Sequence, residues 1–137
     1  MSFPAALSFR SEPVDPVQLA LFAAASGDHN PLHLDPAFAR QAGFERPVVH
    51  GMLTMALAGR MFTQHFGPGC VRVLQTRFAG VALVNEVLEL TAELERVESG
   101  IAHYALRGRT SGGTEVVSGS AQVTDTGTTR TSEPGDR

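Results

Sequence analysis

One stretch limits what this chain can become: "VVHGMLTMALAGRMFTQHFGPG", residues 48–69. Gly67-Pro68-Gly69 closes it, because proline cannot continue a helix and glycine favours its end. Drawn as a helix, it carries Val49, Met52, Leu53, Met55, Ala56, Leu57, Met61 and Phe62 around most of its circumference. Only Arg60, Gln64 and His65, near the C-terminal end, are solvated. A helix that is apolar nearly all round is a buried one. In a chain of 137 residues, the rest of the molecule must wrap it.

The second half supplies the wrapper. "CVRVLQTRF", "NEVLELTAELERVE", "GIAHYALRGRT" and "TEVVSGSAQVTD" read as four strands. In the second of these, Leu88, Leu90, Ala92 and Leu94 alternate with Glu89, Thr91, Glu93 and Glu95, the period of a strand with one wet face. In the last, Val117, Gly119, Ala121 and Val123 alternate with Ser118, Ser120 and Gln122. Glu98-Ser99-Gly100 and Ser111-Gly112-Gly113 stand where hairpin loops belong. Short connections between consecutive strands argue an antiparallel meander.

The first half is punctuated by Asp-Pro. "ALSFRSEP" is a short first strand. "DPVQLALFAAASG" is a helix with Asp15 as its cap, Pro16 at its first position and Gly27 just past its end. Leu19, Phe22 and Ala23 recur at helical spacing and mark its buried face. "DPAFARQAG" repeats the device, with Asp35, Pro36 and Gly43 in the same roles. The pattern is α+β: one domain over residues 1–124, an antiparallel sheet around a long central helix. Residues 125–137, polar and poor in core residues, are expected to form a disordered tail.

Composition narrows the function classes. A net charge of −3 provides no basic footprint for nucleic acid. No apolar run approaches the roughly 18 residues needed to cross a bilayer. The start, "MSFPAALSFRSEP", lacks the charged head and apolar core of a signal peptide. A single cysteine, Cys70, cannot form an internal disulfide and fits a reducing compartment. The expectation is a cytoplasmic protein.

The chemistry is concentrated in "ASGDHNPLHLDP", residues 25–36. Gly27 and Pro31 keep it from being one helix. Asn30, before a proline, is pushed to extended geometry. A turn leading into a short extended run therefore presents Asp28 and His33 on a shaped loop.

The run "LFAAASGDHNPLHLDPAFAR" resembles the signature of the MaoC-like, or (R)-specific, enoyl-CoA hydratase family: Gly27, Asp28, a variable residue, Asn30, Pro31, an aliphatic residue and His33. "FERPVVHGMLTMALAGRMF" is similar to the family's second block. The resemblance is specific over about residues 20–62 and weaker to about 124. It implies a hot-dog fold and reversible hydration of a trans-2-enoyl thioester to the (R)-3-hydroxyacyl product. Coenzyme A is the implied carrier, with acyl-carrier protein as the other possibility. No cofactor and no metal are implied, and hot-dog relatives assemble as homodimers or larger.

Those residue types suit that chemistry. Water must lose a proton as it attacks the β-carbon, and the α-carbon must gain one. Asp28 as carboxylate is the expected base, its pKa raised by burial among apolar neighbours. His33 is its partner in placing water and delivering a proton. Asn30 and Pro31 shape the loop. The resemblance assigns the oxyanion-hole amide to Gly51, which fits a helix start where free amides favour an anion. His50 is expected to orient that helix start through a hydrogen bond. Two departures from the family pattern stand out: Ala58-Gly59 where some relatives carry a small hydroxyl, and Asn85-Glu86 where Gly-Asp is usual.

Other readings compete for the same residues. His29 and His33 are four apart but straddle Pro31, which breaks a helical His-x3-His metal site. His29 is expected in solvent, His65 at a helix end, His103 in a strand and Cys70 in packing. A hot-dog thioesterase would share the fold, yet "HGMLTMALAGRMF" lacks the acidic residue such an enzyme carries on its central helix. A non-catalytic acyl-thioester binding module would have lost the Asp28–His33 pair.

Overall fold

The structure, a computed structural model, describes residues 3–126. Most of the expected tail lies outside these residues. Its first two lie inside, and the Thr126 hydroxyl donates to the Phe66 carbonyl at 2.9 Å.

The Asp-Pro punctuation folds as read. Helix α1 spans Pro16–Ser26, with the Asp15 carboxylate accepting the Gln18 amide and Gly27 closing the end at φ 81°. Helix α2 spans Pro36–Gln41, with Asp35 accepting the amides of Ala37 and Phe38. In each case an acidic side chain satisfies helix amides that would otherwise lack partners, and proline occupies a position that needs no donor.

Strands β1 (Ala6–Arg10), β2 (Val71–Phe78), β3 (Leu88–Glu98), β4 (Ile101–Thr110) and β5 (Glu115–Val123) form one antiparallel sheet in the order β1-β3-β4-β5-β2. The meander expectation holds for β3, β4 and β5. It fails for β2, which pairs with β5 at the far edge rather than with β3. The reason lies in the connection from β2 to β3. Residues 79–87 are not a hairpin loop: Ala79 bonds Val116, Ala82 accepts the amide of Val49, and Asn85 donates to Val14. This segment runs beneath the start of the central helix. At Asn85 the backbone turns with φ 73°, the left-handed conformation a glycine would take most readily, and the Glu86 carboxylate accepts the Leu83 amide. Asn85-Glu86, the departure noted in the sequence, thus builds a closed turn of its own.

Helix α3 (Gly51–Phe66) lies on the sheet. Leu53, Leu57, Ala58, Met61, Phe62 and Phe66 pack into one core with Leu88, Leu90, Tyr104, Leu106 and Val117. Here the structure departs from the expected all-round burial. Met52 is 57% exposed, and Ala56 is exposed as well. A single sheet layer can cover only one side of a helix, so the opposite apolar stripe faces outward in one copy of the chain. Cys70 is buried, as its packing role required.

Candidate active site

The site grows from the turn after α1. The Asp28 amide donates to the Ser26 hydroxyl at 3.1 Å, and the Asp28 Oδ1 accepts the Asn30 amide at 3.4 Å. The Asn30 side chain accepts the Leu32 amide at 2.9 Å and caps a single 3-10 turn, Pro31–His33, with Pro31 at its first position. The extended run expected here is this turn instead. A capping Asn followed by Pro favours a helical start, and three residues suffice for one tight turn.

Val48 fixes the turn from the opposite side. Its amide donates to the Leu32 carbonyl at 3.1 Å, and its carbonyl accepts the His33 Nδ1–H at 2.7 Å. A carbonyl can only accept, so Nδ1 carries the proton and the neutral ring has its lone pair at Nε2. That Nε2 lies 3.6 Å from the Asp28 Oδ2. Two proton acceptors therefore face one gap, slightly wider than a hydrogen bond.

His50 completes the cluster. Its ring stacks on His33 with centroids 3.8 Å apart and planes 19° from parallel, and the Phe22 ring meets it edge-on at 4.9 Å. Its Nε2 donates to the Asp28 backbone carbonyl at 3.3 Å. His50 is the N-cap of α3, but its side chain makes no capping bond. The hydrogen bond expected of His50 thus runs to the loop that carries Asp28 and not to an amide of its own helix. Burial, and then the neighbouring His33 charge, depress its pKa below the ordinary 6.5.

Gly51 follows directly, at the first position of α3, where amides lie ahead of the helix with no intrahelical acceptor. A Cβ built on it would meet the Phe78 ring at 3.3 Å. The expected apolar burial of Asp28 is not met within the described residues, since its side chain is 49% exposed while that of His33 is 11% exposed. The loop sits at the rim of the domain, and the described residues put no layer over it. His33 also joins Leu19, Ala20, Leu34, Pro47 and Val84 around a mostly apolar cavity of about 440 Å³ that Arg46 lines as well.

Ligand atoms of Asp28, His33 and His50 lie within 4.8 Å of one another, a spacing that invites a metal ion. The ring geometry opposes it. A metal binds an imidazole nitrogen near the ring plane, and two ring planes 3.8 Å apart and only 19° from parallel do not meet within the roughly 2 Å reach of a metal–nitrogen bond.

The MaoC-like domain pattern matches residues 5–112. The chain belongs to the MaoC-like family. This MaoC-like domain is 43% identical over 112 residues to an (R)-specific enoyl-CoA hydratase of Aeromonas caviae, across 77% of this chain and 82% of that protein. The solved structure of the (R)-hydratase from A. caviae superposes with a TM-score of 0.81 at 34% identity, covering 90% of this chain and 97% of the other. An R-hydratase from Pseudomonas aeruginosa superposes at 0.85 with 27% identity, covering 97% and 89%. The MaoC-like domain thus has the hot-dog architecture, and no described helix is long and apolar enough to cross a membrane.

Sequence reasoning brought Asp28, Asn30, Pro31, His33, His50 and Gly51 to one place. His29, at an exposed position, stays out of the cluster, as expected. His65 lies in the last turn of α3, and His103 lies in β4. Sequence reasoning missed Val48 and Phe78. A backbone carbonyl leaves no residue signature, and an aromatic at a strand end does not announce which helix start it will touch.

Proposed function

We propose that this MaoC-like domain catalyses the reversible syn hydration of a trans-2-enoyl-CoA to the (R)-3-hydroxyacyl-CoA, with Asp28 and His33 acting on one water. The observation that carries the reading is the gap of 3.6 Å between the Asp28 Oδ2 and a His33 Nε2 whose tautomer is set from behind by Val48. A water seated against the open side of that gap can reach both atoms, donating to Asp28 while its oxygen faces the β-carbon.

The reaction begins once the bare His33 Nε2 has taken a proton from solvent, so that the ring holds one at each nitrogen and Asp28 is a carboxylate. The water oxygen attacks the β-carbon, its proton passes to the Asp28 carboxylate, and the π electrons move onto the thioester oxygen. The Gly51 amide stabilises that oxygen at the positive end of α3. The enolate then collapses, and the α-carbon takes the proton of His33. Transfer of the Asp28 proton to His33 restores the pair, so one proton leaves and one arrives. Both additions come from the face on which the two residues stand. The half-open Asp28 is covered by the substrate itself, whose apolar chain displaces water and strengthens each electrostatic contact. The apolar cavity beside His33 supports an apolar substrate portion.

A thioesterase is disfavoured by α3, whose sequence GMLTMALAGRMFTQHF has no carboxylate. A pure binding module has no use for a pinned tautomer opposite a carboxylate. Two further parts of the reading concern the whole protein. The outward stripe of α3 at Met52 and Ala56, with Val73 and Phe78 exposed on the edge strand β2, supports a homodimer. The single reduced cysteine supports the cytoplasm.

The test is crotonyl-CoA with no added metal or nucleotide. Loss of the enoyl absorbance, with product oxidised by an (R)-specific and not an (S)-specific 3-hydroxyacyl-CoA dehydrogenase, is expected. Release of free thiol, or the (S) product, would sink the reading.

A further inference from the structure

We propose that His50 is a positioning residue of the catalytic pair: a neutral ring that locks the Asp28 loop, the His33 ring and the start of α3 into one rigid unit. This inference rests on the hydratase reading and adds a residue to it. Three contacts carry it. The His50 ring is stacked on His33 at 3.8 Å, the Phe22 ring packs edge-on with it at 4.9 Å, and its Nε2–H reaches the Asp28 carbonyl at 3.3 Å. The next residue in the chain is Gly51. One side chain therefore touches the backbone of the base and the ring of its partner, while its own backbone starts the helix that offers the oxyanion amide.

The position is not used as helix caps are used. A capping side chain accepts an amide from the first turn of its own helix, and His50 does not. Its bond runs instead to a carbonyl 22 residues earlier. The ring is also fully buried, with Nδ1 lacking any hydrogen-bond partner among the described residues. With Nε2–H committed to a carbonyl, an Nδ1–H would be a buried cationic donor with nothing to receive it, which is costly. The ring is therefore neutral, with a bare lone pair at Nδ1. A neutral ring under His33 can lie against it as His33 gains and loses its proton, where a second imidazolium would repel it.

A displacement of the reacting groups by a fraction of an ångström to an ångström lowers turnover steeply, by about 10²-fold at the upper end. His50→Gln keeps a donor near the Asp28 carbonyl and loses the stack. His50→Phe keeps an aromatic ring on His33 and loses the donor. We expect each folded variant to lose roughly 10- to 100-fold in kcat, with KM for crotonyl-CoA almost unchanged, because His50 touches the catalytic groups and not the substrate. Imidazole nitrogen NMR of the wild-type protein supplies a readout that does not depend on any variant folding. It should show His50 as the neutral Nε2–H tautomer and His33 with its proton on Nδ1. Wild-type kcat in both folded variants, a loss carried wholly by KM, or His50 found as the Nδ1–H tautomer would each overturn the positioning role while leaving the hydratase reading intact. A wild-type protein that does not hydrate crotonyl-CoA would overturn both.

Discussion

The Nε2 of His33 stands 3.6 Å from the Oδ2 of Asp28, and the opposite nitrogen of the same ring is held by the Val48 carbonyl at 2.7 Å. The ring cannot rotate to present its other nitrogen without breaking that bond. Asp28→Asn removes the charge and keeps the shape, and His33→Ala removes the partner. Each is expected to lower hydration by roughly 10²–10⁴-fold, the usual contribution of a positioned acid or base. Asp28 is half exposed, so Asp28→Asn leaves no buried cavity and its circular dichroism should match the wild type. Near wild-type turnover in that folded variant would remove Asp28 from the mechanism.

Gly51 and Phe78 make a second test. An alanine Cβ at position 51 would meet the Phe78 ring at 3.3 Å, a contact the ring can relieve because Phe78 is 46% exposed. Gly51→Ala should therefore change stability by no more than about 1 kcal/mol, since alanine's better helix propensity offsets the small shift asked of the ring. It should lower kcat/KM by about 10-fold or more, because a methyl group crowds the amide meant for the thioester oxygen. Adding Phe78→Ala relieves the ring contact and should not restore activity. Full rescue would mean that the defect was packing.

Gly119 tests the strand order. In β5 a Cβ at this position would lie 2.0 Å from the Gln75 carbonyl oxygen and 2.9 Å from the Thr76 Cα, both backbone atoms of β2. Backbone cannot rotate out of the way, so Gly119→Ala should cost on the order of 3 kcal/mol or more and lower the melting temperature sharply. A variant as stable as the wild type would mean that β2 does not pair with β5 as described.

Acid sensitivity should follow His50. Burial and the nearby His33 hold its folded pKa below the ordinary 6.5. Below that value the unfolded chain binds a proton that the folded chain resists. The contribution of the neutral buried ring is thus complete above 6.5 and is lost as the pH falls through the lowered folded value. Urea unfolding at a series of pH values should show stability falling on the acid side, with a shallower slope in His50→Gln. An identical slope in the two proteins would place the acid-sensitive group elsewhere.

Assembly is read from an uncovered helix face and an open strand edge. Met52 is 57% exposed, Phe78 46% and Val73 36%, on α3 and β2. Sedimentation at micromolar concentration should give a dimer or larger, and Val73→Glu should weaken it by placing charge on the edge strand. A monomeric wild type would show that the stripe is tolerated in water.

Much of this protein is decided locally, and local features are legible in its sequence. Asp15-Pro16 and Asp35-Pro36 start helices because the carboxylate satisfies the first amides within three residues. Gly27 ends α1 at φ 81°, a conformation glycine adopts without strain. The alternation of Leu88, Leu90 and Ala92 with Glu89, Thr91 and Glu93 already names the inner face of β3. The motif residues 27–33 could likewise be placed on one loop from proline and asparagine chemistry alone. What the chain decides only on folding depends on partners far apart in sequence. β2 joins β5 rather than β3 because its connection is spent holding the segment before α3. The helix that looked buried all round keeps an open stripe because one sheet has one inner face. His33 acquires its tautomer from the carbonyl of Val48, and His50 turns from its own helix to the Asp28 loop. Carbonyl groups are the same in every residue, so nothing in the order of side chains records which of them will be in reach.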